Sequence, residues 1–89
     1  MLRQEITIIN KLGLHARAAA KFVNCAAAFA SSVKVGPPDG MVDGKSIMSV
    51  MMLAASQGTV LQLEVAGRDE DDALAALVAL VENYFDEGE

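Results

Sequence analysis

Asn10-Lys11-Leu12-Gly13-Leu14-His15-Ala16-Arg17 divides two sequence patterns of different period, and that division decides the fold. Before it, residues 2–9 are rich in β-formers. Ile6 and Ile8 share one face and Arg3, Glu5 and Thr7 the other, the alternation of a half-buried strand. Asn10-Lys11-Leu12-Gly13 then reads as a turn. After it, the alanine-rich residues 16–29 carry Phe22, Val23, Ala26 and Phe29 at helical spacing, one core stripe on an amphipathic helix. A strand that turns straight into a helix leaves His15, the only histidine, near the helix N-cap. Unpaired N–H groups and the positive end of the helix dipole make that position an anion site. A neutral imidazole nitrogen there is a competent nucleophile near neutral pH. A phosphoryl group placed on it would lie among amide donors, the backbone of Ala16 and Arg17 included. Arg17 is near enough to clamp it, because guanidinium pairs bidentately with phosphate oxygens. Gly13 is read as supplying a backbone conformation closed to other residues, and Asn10 and Leu12 as shaping the loop.

Outward from this stretch the periods continue to alternate. Residues 32–35 form a short strand with Val33 and Val35 inward, and Gly36-Pro37-Pro38-Asp39-Gly40 is a turn. Residues 41–43 return as a third strand. Ser46 is placed as the N-cap of a short helix through residue 53, closed by Ser56-Gln57-Gly58. Residues 59–66 make a fourth strand in which Val60, Leu61, Leu63 and Val65 alternate with Gln62 and Glu64. Asp69 is read as the cap of a last helix, with Asp71 and Asp72 suited to its positive end. Its core stripe is Leu74, Leu77, Val78, Val81 and either Tyr84 or Phe85, and residues 86–89 are expected to fray. The order is βαββαβα in one domain spanning residues 1–89. Four strands with one apolar face need cover, and three helices supply it on one side. The fold class is therefore α+β, a two-layer sandwich with a four-stranded, mostly antiparallel sheet. Pattern alone leaves a ferredoxin-like domain open.

Composition narrows the function classes. The net charge is −5 and the aromatics are only Phe22, Phe29, Tyr84 and Phe85, which argues against nucleic-acid binding by a basic face or by base stacking. The single cysteine, Cys25, allows neither an internal disulfide nor a zinc cluster, and is read as a small buried residue of the first helix. The acidic run at residues 69–72 has no metal-ligand spacing, so no metal and no cofactor is expected. No long apolar run marks a signal peptide or a membrane span, so the expectation is a cytoplasmic protein without membrane insertion. A monomer is expected.

Three segments carry a resemblance. Residues 10–19, Asn10-Lys11-Leu12-Gly13-Leu14-His15-Ala16-Arg17-Ala18-Ala19, resemble the phosphorylation-site signature of HPr, the histidine-containing phosphocarrier family of the bacterial phosphotransferase system. Residues 44–53 resemble that family's regulatory-serine region, and residues 58–72 its last strand and the start of its last helix. Together they cover almost the whole chain in the family's order. One departure is clear: the family commonly has proline after the arginine, where this chain has Ala18. Proline in a first helical turn loses no hydrogen bond and presets φ, whereas alanine is the better helix former.

The resemblance implies an open-faced sandwich and a relay. His15 would accept a phosphoryl group from phosphorylated enzyme I, charged by phosphoenolpyruvate, and pass it to an enzyme IIA domain. The chain would be a carrier rather than an independent enzyme. Ser46 would be a regulatory site for a dedicated HPr kinase/phosphorylase. Ile47, Met48, Met51 and Met52 are too many apolar residues for a short helix to bury on one side. Val50 and Leu53 fit the core, which leaves Ile47, Met48 and Met51 as an exposed docking stripe. Leu14, Ala20, Lys21 and Asn24 are expected to extend the partner surface beside His15. The family often carries more positive charge there than Lys21 alone provides. Two alternatives stand beside this reading: a carrier of the nitrogen-related branch, and a docking module switched at Ser46 without relay activity. The pairing of His15 with Arg17 speaks against the second.

Overall fold

In a computed structural model that describes residues 1–88, β1 (Leu2–Thr7) leads into α1 (Ala16–Ala27). Then come β2 (Ser32–Gly36), β3 (Val42–Asp43), α2 (Ile47–Met52), β4 (Val60–Ala66) and α3 (Glu70–Glu82). This is the order read from the sequence, with one addition, a 3-10 turn at Tyr84–Asp86. The sheet order is β1-β4-β2-β3 and every pairing is antiparallel. Register aligns the apolar sets: Ile6 lies opposite Leu61, Val33 opposite Val65 and Val35 opposite Leu63. One face of the sheet is therefore continuous hydrocarbon. α1 and α3 pack together, α3 lies against β1 and β4, and α2 packs on α1 and β3. Phe22, Ala26, Leu77 and Val81 are the helical side of the core. The other sheet face is polar, with Arg3 bonded across to Glu64 at 3.0 Å, directly opposite it in register.

Several boundaries differ from the sequence reading, each for a local reason. β1 ends at Thr7 rather than residue 9. The Ile8 N–H still donates to the Thr59 carbonyl at 2.9 Å and Gly58 N–H donates to the Ile8 carbonyl at 2.6 Å, but these partners sit in the turn before β4. α1 stops at Ala27, because the N–H groups of Ala28 and Phe29 bond three residues back, to Cys25 and Ala26, in a tightened last turn. Phe29 is half-buried against the core. Val60 is exposed, since strand parity places it with Gln62 and Glu64 and not with Leu61. Cys25 is half-buried. Burial first, and the Asp86 carboxylate second, push its thiol up, which disfavours a reactive thiolate.

Asp69 occupies the N-cap position of α3 but its side chain does not cap the helix. The carboxylate reaches instead across to the α1–β2 connection. It accepts the N–H groups of Ala30 and Ser31, both at 2.8 Å, and the Ser31 hydroxyl. The hydroxyl bond, then the backbone bonds, hold its pKa down to about 2. Asp69 thus ties the start of α3 to the far end of α1.

In place of the expected fraying after α3, the chain is held by hydrogen bonds through Glu87; Glu89 lies outside the described residues. Tyr84, Phe85 and Asp86 take left-handed φ values of 56°, 51° and 63° and fold the chain back. Each such residue costs roughly 1–2 kcal/mol. Phe85 is fully buried while Tyr84 is 39% exposed, so the ambiguous last core position is Phe85. Its burial, worth about 1.5–3 kcal/mol, offsets part of the strain.

Candidate functional site

The loop before α1 is anchored on both sides. Asn10 is fully buried, and its Nδ2 donates to the Gly13 carbonyl at 2.8 Å while the Gly13 N–H donates to the Asn10 carbonyl at 3.2 Å. Gly13 has φ +67°, and a Cβ there would collide with the backbone of Ala55 and Ser56. No other residue fits that approach. The Leu14 N–H donates to the Ala55 carbonyl at 2.8 Å, joining the loop to the segment that follows α2. Leu14 itself is only 6% exposed and belongs to the core. The expectation that it faces partners is corrected: its side chain is the apolar plug that seats the loop. Leu12, read as a loop-shaping residue, points outward and is exposed.

His15 follows as the N-cap of α1 in extended conformation, with φ −72° and ψ 176°. Its carbonyl accepts the Ala19 N–H at 2.8 Å, and its ring Nδ1 accepts the Arg17 N–H at 3.3 Å. The imidazole therefore does the work usually left to serine or aspartate at an N-cap. On the other edge of the ring, Nε2 lies 2.6 Å from Glu87 Oε2. A carboxylate only accepts, so the contact fits a neutral ring with its proton on Nε2 and its lone pair on Nδ1. Nδ1 thus faces the first turn of α1, where the N–H groups of Ala16, Arg17 and Ala18 have no partner four residues back. Ala16 is exposed beside it. The Arg17 side chain is exposed too, and among the described residues it has no ion-pair partner, so it is free to meet an anion. Ala18 is fully buried, its methyl packed in the core.

The second element of the site is α2. Ser46 is its N-cap, the hydroxyl accepting the Ser49 N–H at 3.3 Å. Val50 is buried, as expected, and Leu53 is half-buried. Ile47, Met48 and Met51 are exposed, Met48 by 67%, and Met52 is exposed as well. Asn24 is exposed on α1, while Ala20 and Lys21 are half-buried. The packing of α1 against α2 makes the two helices neighbours on one side of the molecule.

Glu87 was missed by sequence reasoning. It lies 72 residues from His15 in a tail that composition marks as frayed, and no local spacing links the two. The available signal was Phe85, the candidate last residue of the helical core stripe, whose burial brings the residues after it back onto the molecule. Among the described residues no helix is long and apolar enough to cross a membrane.

Comparison with known proteins agrees with this fold. The family model described as "PTS HPr component phosphorylation site" matches residues 2–83. The "Phosphocarrier protein HPr" of Pseudomonas putida is 62% identical over 90 residues, covering 100% of both chains. The protein of the same description from Pseudomonas aeruginosa is 65% identical over 86 residues, covering 96% of each. Among solved structures, HPr from Thermoanaerobacter tengcongensis superposes with a TM-score of 0.93 at 47% identity, covering 98% of each chain.

Proposed function

The chain belongs to the HPr phosphocarrier family of the phosphotransferase system, and on that premise we propose a specific relay. His15 takes a phosphoryl group from phosphorylated enzyme I and passes it to an enzyme IIA domain. One observation carries this reading: the His15 Nδ1 lone pair is held 3.3 Å from the Arg17 N–H at the open start of α1. An attacking Nδ1 forms the nitrogen–phosphorus bond there. The phosphoryl oxygens then meet first-turn N–H groups and the positive end of the helix. The exposed Arg17 guanidinium offsets the charge that builds on those oxygens in transfer. The product is a phosphoramidate, labile enough to hand its group on. The exposed stripe of Ile47, Met48 and Met51, with Ala20, Lys21 and Asn24, is the surface on which donor and acceptor dock in turn. Methionine suits such shared use because its side chain adapts to different partners.

Ser46 is the second reading. It stands at the start of α2, next to the apolar stripe. A phosphate added there by an HPr kinase/phosphorylase brings roughly −1.5 to −2 charges to the docking surface. Its effect is to weaken docking of enzyme I rather than to alter the His15 ring.

The test of the relay is incubation with phosphoenolpyruvate, magnesium and enzyme I, followed by intact mass. One acid-labile phosphoryl group is expected, and none in His15→Ala. Equal labelling of that variant would falsify the assignment of His15.

A further inference from the structure

We propose that Glu87 is a positioning residue for His15, its carboxylate holding the Nε2 proton so that Nδ1 alone presents a lone pair at the start of α1. This deepens the phosphocarrier reading of His15 and rests on it. Three observations carry it. Glu87 Oε2 lies 2.6 Å from Nε2, and the two side chains are only 12% and 28% exposed, so solvent competes weakly for the contact. The other carboxylate oxygen, Oε1, accepts Asn10 Nδ2 at 3.1 Å. Asn10 is fully buried and its second amide hydrogen is committed to the Gly13 carbonyl at 2.8 Å, so the residue that shapes the loop also orients Glu87. Finally, the tail reaches the ring only because Tyr84, Phe85 and Asp86 all adopt left-handed backbone, with Phe85 locked in the core.

The chemistry follows from the two edges of the ring. A neutral imidazole unconstrained by its surroundings exchanges between two tautomers, and only the form protonated on Nε2 can attack through Nδ1. The carboxylate selects that form. When Nδ1 bonds phosphorus, the electron pair of the donor's breaking bond leaves with the departing group. The ring becomes cationic, with its proton still on Nε2. Glu87 then faces an imidazolium, and a charge-assisted bond is stronger than a neutral one. The reverse transfer returns the electron pair to Nδ1 without any proton leaving the ring. Glu87 touches neither phosphorus nor the donor; it acts through His15.

Two measurements on the full chain decide this. Nitrogen-15 NMR of the unphosphorylated ring, at mildly alkaline pH, reports the tautomer without any partner protein. The Nε2–H form should dominate in the parent chain and give way to a mixture in Glu87→Ala. Reaction with potassium phosphoramidate, which transfers its phosphoryl group and releases ammonia, reports the nitrogen attacked. The parent chain should yield the Nδ1 adduct, and Glu87→Ala should divide the product between both nitrogens. Enzyme I-dependent labelling of Glu87→Ala should slow about tenfold, the lower end of the loss when a group that orients a metal-ligating histidine is removed. An unchanged tautomer together with an unchanged product overturns the role of Glu87, even if His15 is labelled normally. A parent chain that enzyme I does not label overturns the relay instead, and the NMR result still decides the positioning.

Discussion

At the residue scale the site consists of one imidazole with two differently occupied edges. Nδ1 meets the Arg17 N–H and Nε2 meets Glu87. The ring therefore caps the Arg17 N–H, while the Arg17 guanidinium is exposed and has no ion-pair partner among the described residues, so the two roles separate by mutation. Arg17→Ala and Arg17→Lys both keep the N–H contact. Arg17→Ala should slow phosphoryl transfer more than it weakens docking, by a factor on the order of 10 to 100 for a lost charge-assisted hydrogen bond. Arg17→Lys should recover only part, because ammonium lacks the fork that matches phosphate. Rapid-quench transfer rates, set against titration of enzyme I binding, measure both; equal rates in all three proteins would leave Arg17 merely solvated. The histidine and arginine were legible in the sequence because their meaning depends on two-residue spacing at a strand-to-helix change. Glu87 was not, because its meaning depends on where the tail returns.

At the element scale α2 is a six-residue helix with only one fully buried side chain, Val50. So short a helix is not self-sustaining and owes its existence to packing and to the Ser46 cap. Met48→Asp removes exposed apolar surface, so it should lower affinity for both enzyme I and enzyme IIA while moving the thermal midpoint little. Calorimetric titration and thermal melts check it. A variant that unfolds would mean Met48 belongs to the core and the docking surface lies elsewhere on α1. Ser46→Ala should destabilise by about 1 kcal/mol through loss of the cap, seen as a lower denaturant midpoint. Phosphoserine at the same position should slow acceptance of phosphate from enzyme I, whereas Ser46→Ala should not. If the phosphorylated and unmodified proteins accept phosphate equally fast, Ser46 is a helix cap and nothing more. The exposed stripe was readable from the surplus of apolar residues, since a helix this short has only one side to bury.

At the scale of the whole molecule, long-range ties join elements that are distant in sequence. Asp69 links the start of α3 to Ala30 and Ser31, and the folded state favours its ionised form, with a pKa lowered from 3.8 to about 2. A depressed carboxyl stabilises fully above about pH 4, and the contribution fades as pH falls towards 2. Asp69→Asn should therefore melt at a lower temperature near neutral pH, and its deficit should shrink across that acid window. Melting curves taken from pH 7 down to pH 2 test this; a deficit that stays constant with pH would show that the carboxylate charge is not what matters.

Sequence by itself determined the order of strands and α-helices, the inward faces of β1 and β2, the N-cap placement of His15 and the exposed stripe of α2. All of these follow from periodicity and neighbours within a few residues, which is the range over which backbone geometry is set. Leu14 shows the limit of that range. Next to the site histidine it reads as surface, yet it is buried because the Leu14 N–H bonds to Ala55, forty-one positions along the chain. The same holds for Asp69, drawn off its helix by Ser31, and for Glu87, brought to His15 by the burial of Phe85. Tertiary structure alone decided these, because a side chain's partner is whichever group the packed core brings within about 3 Å of it, and no local pattern records that distance.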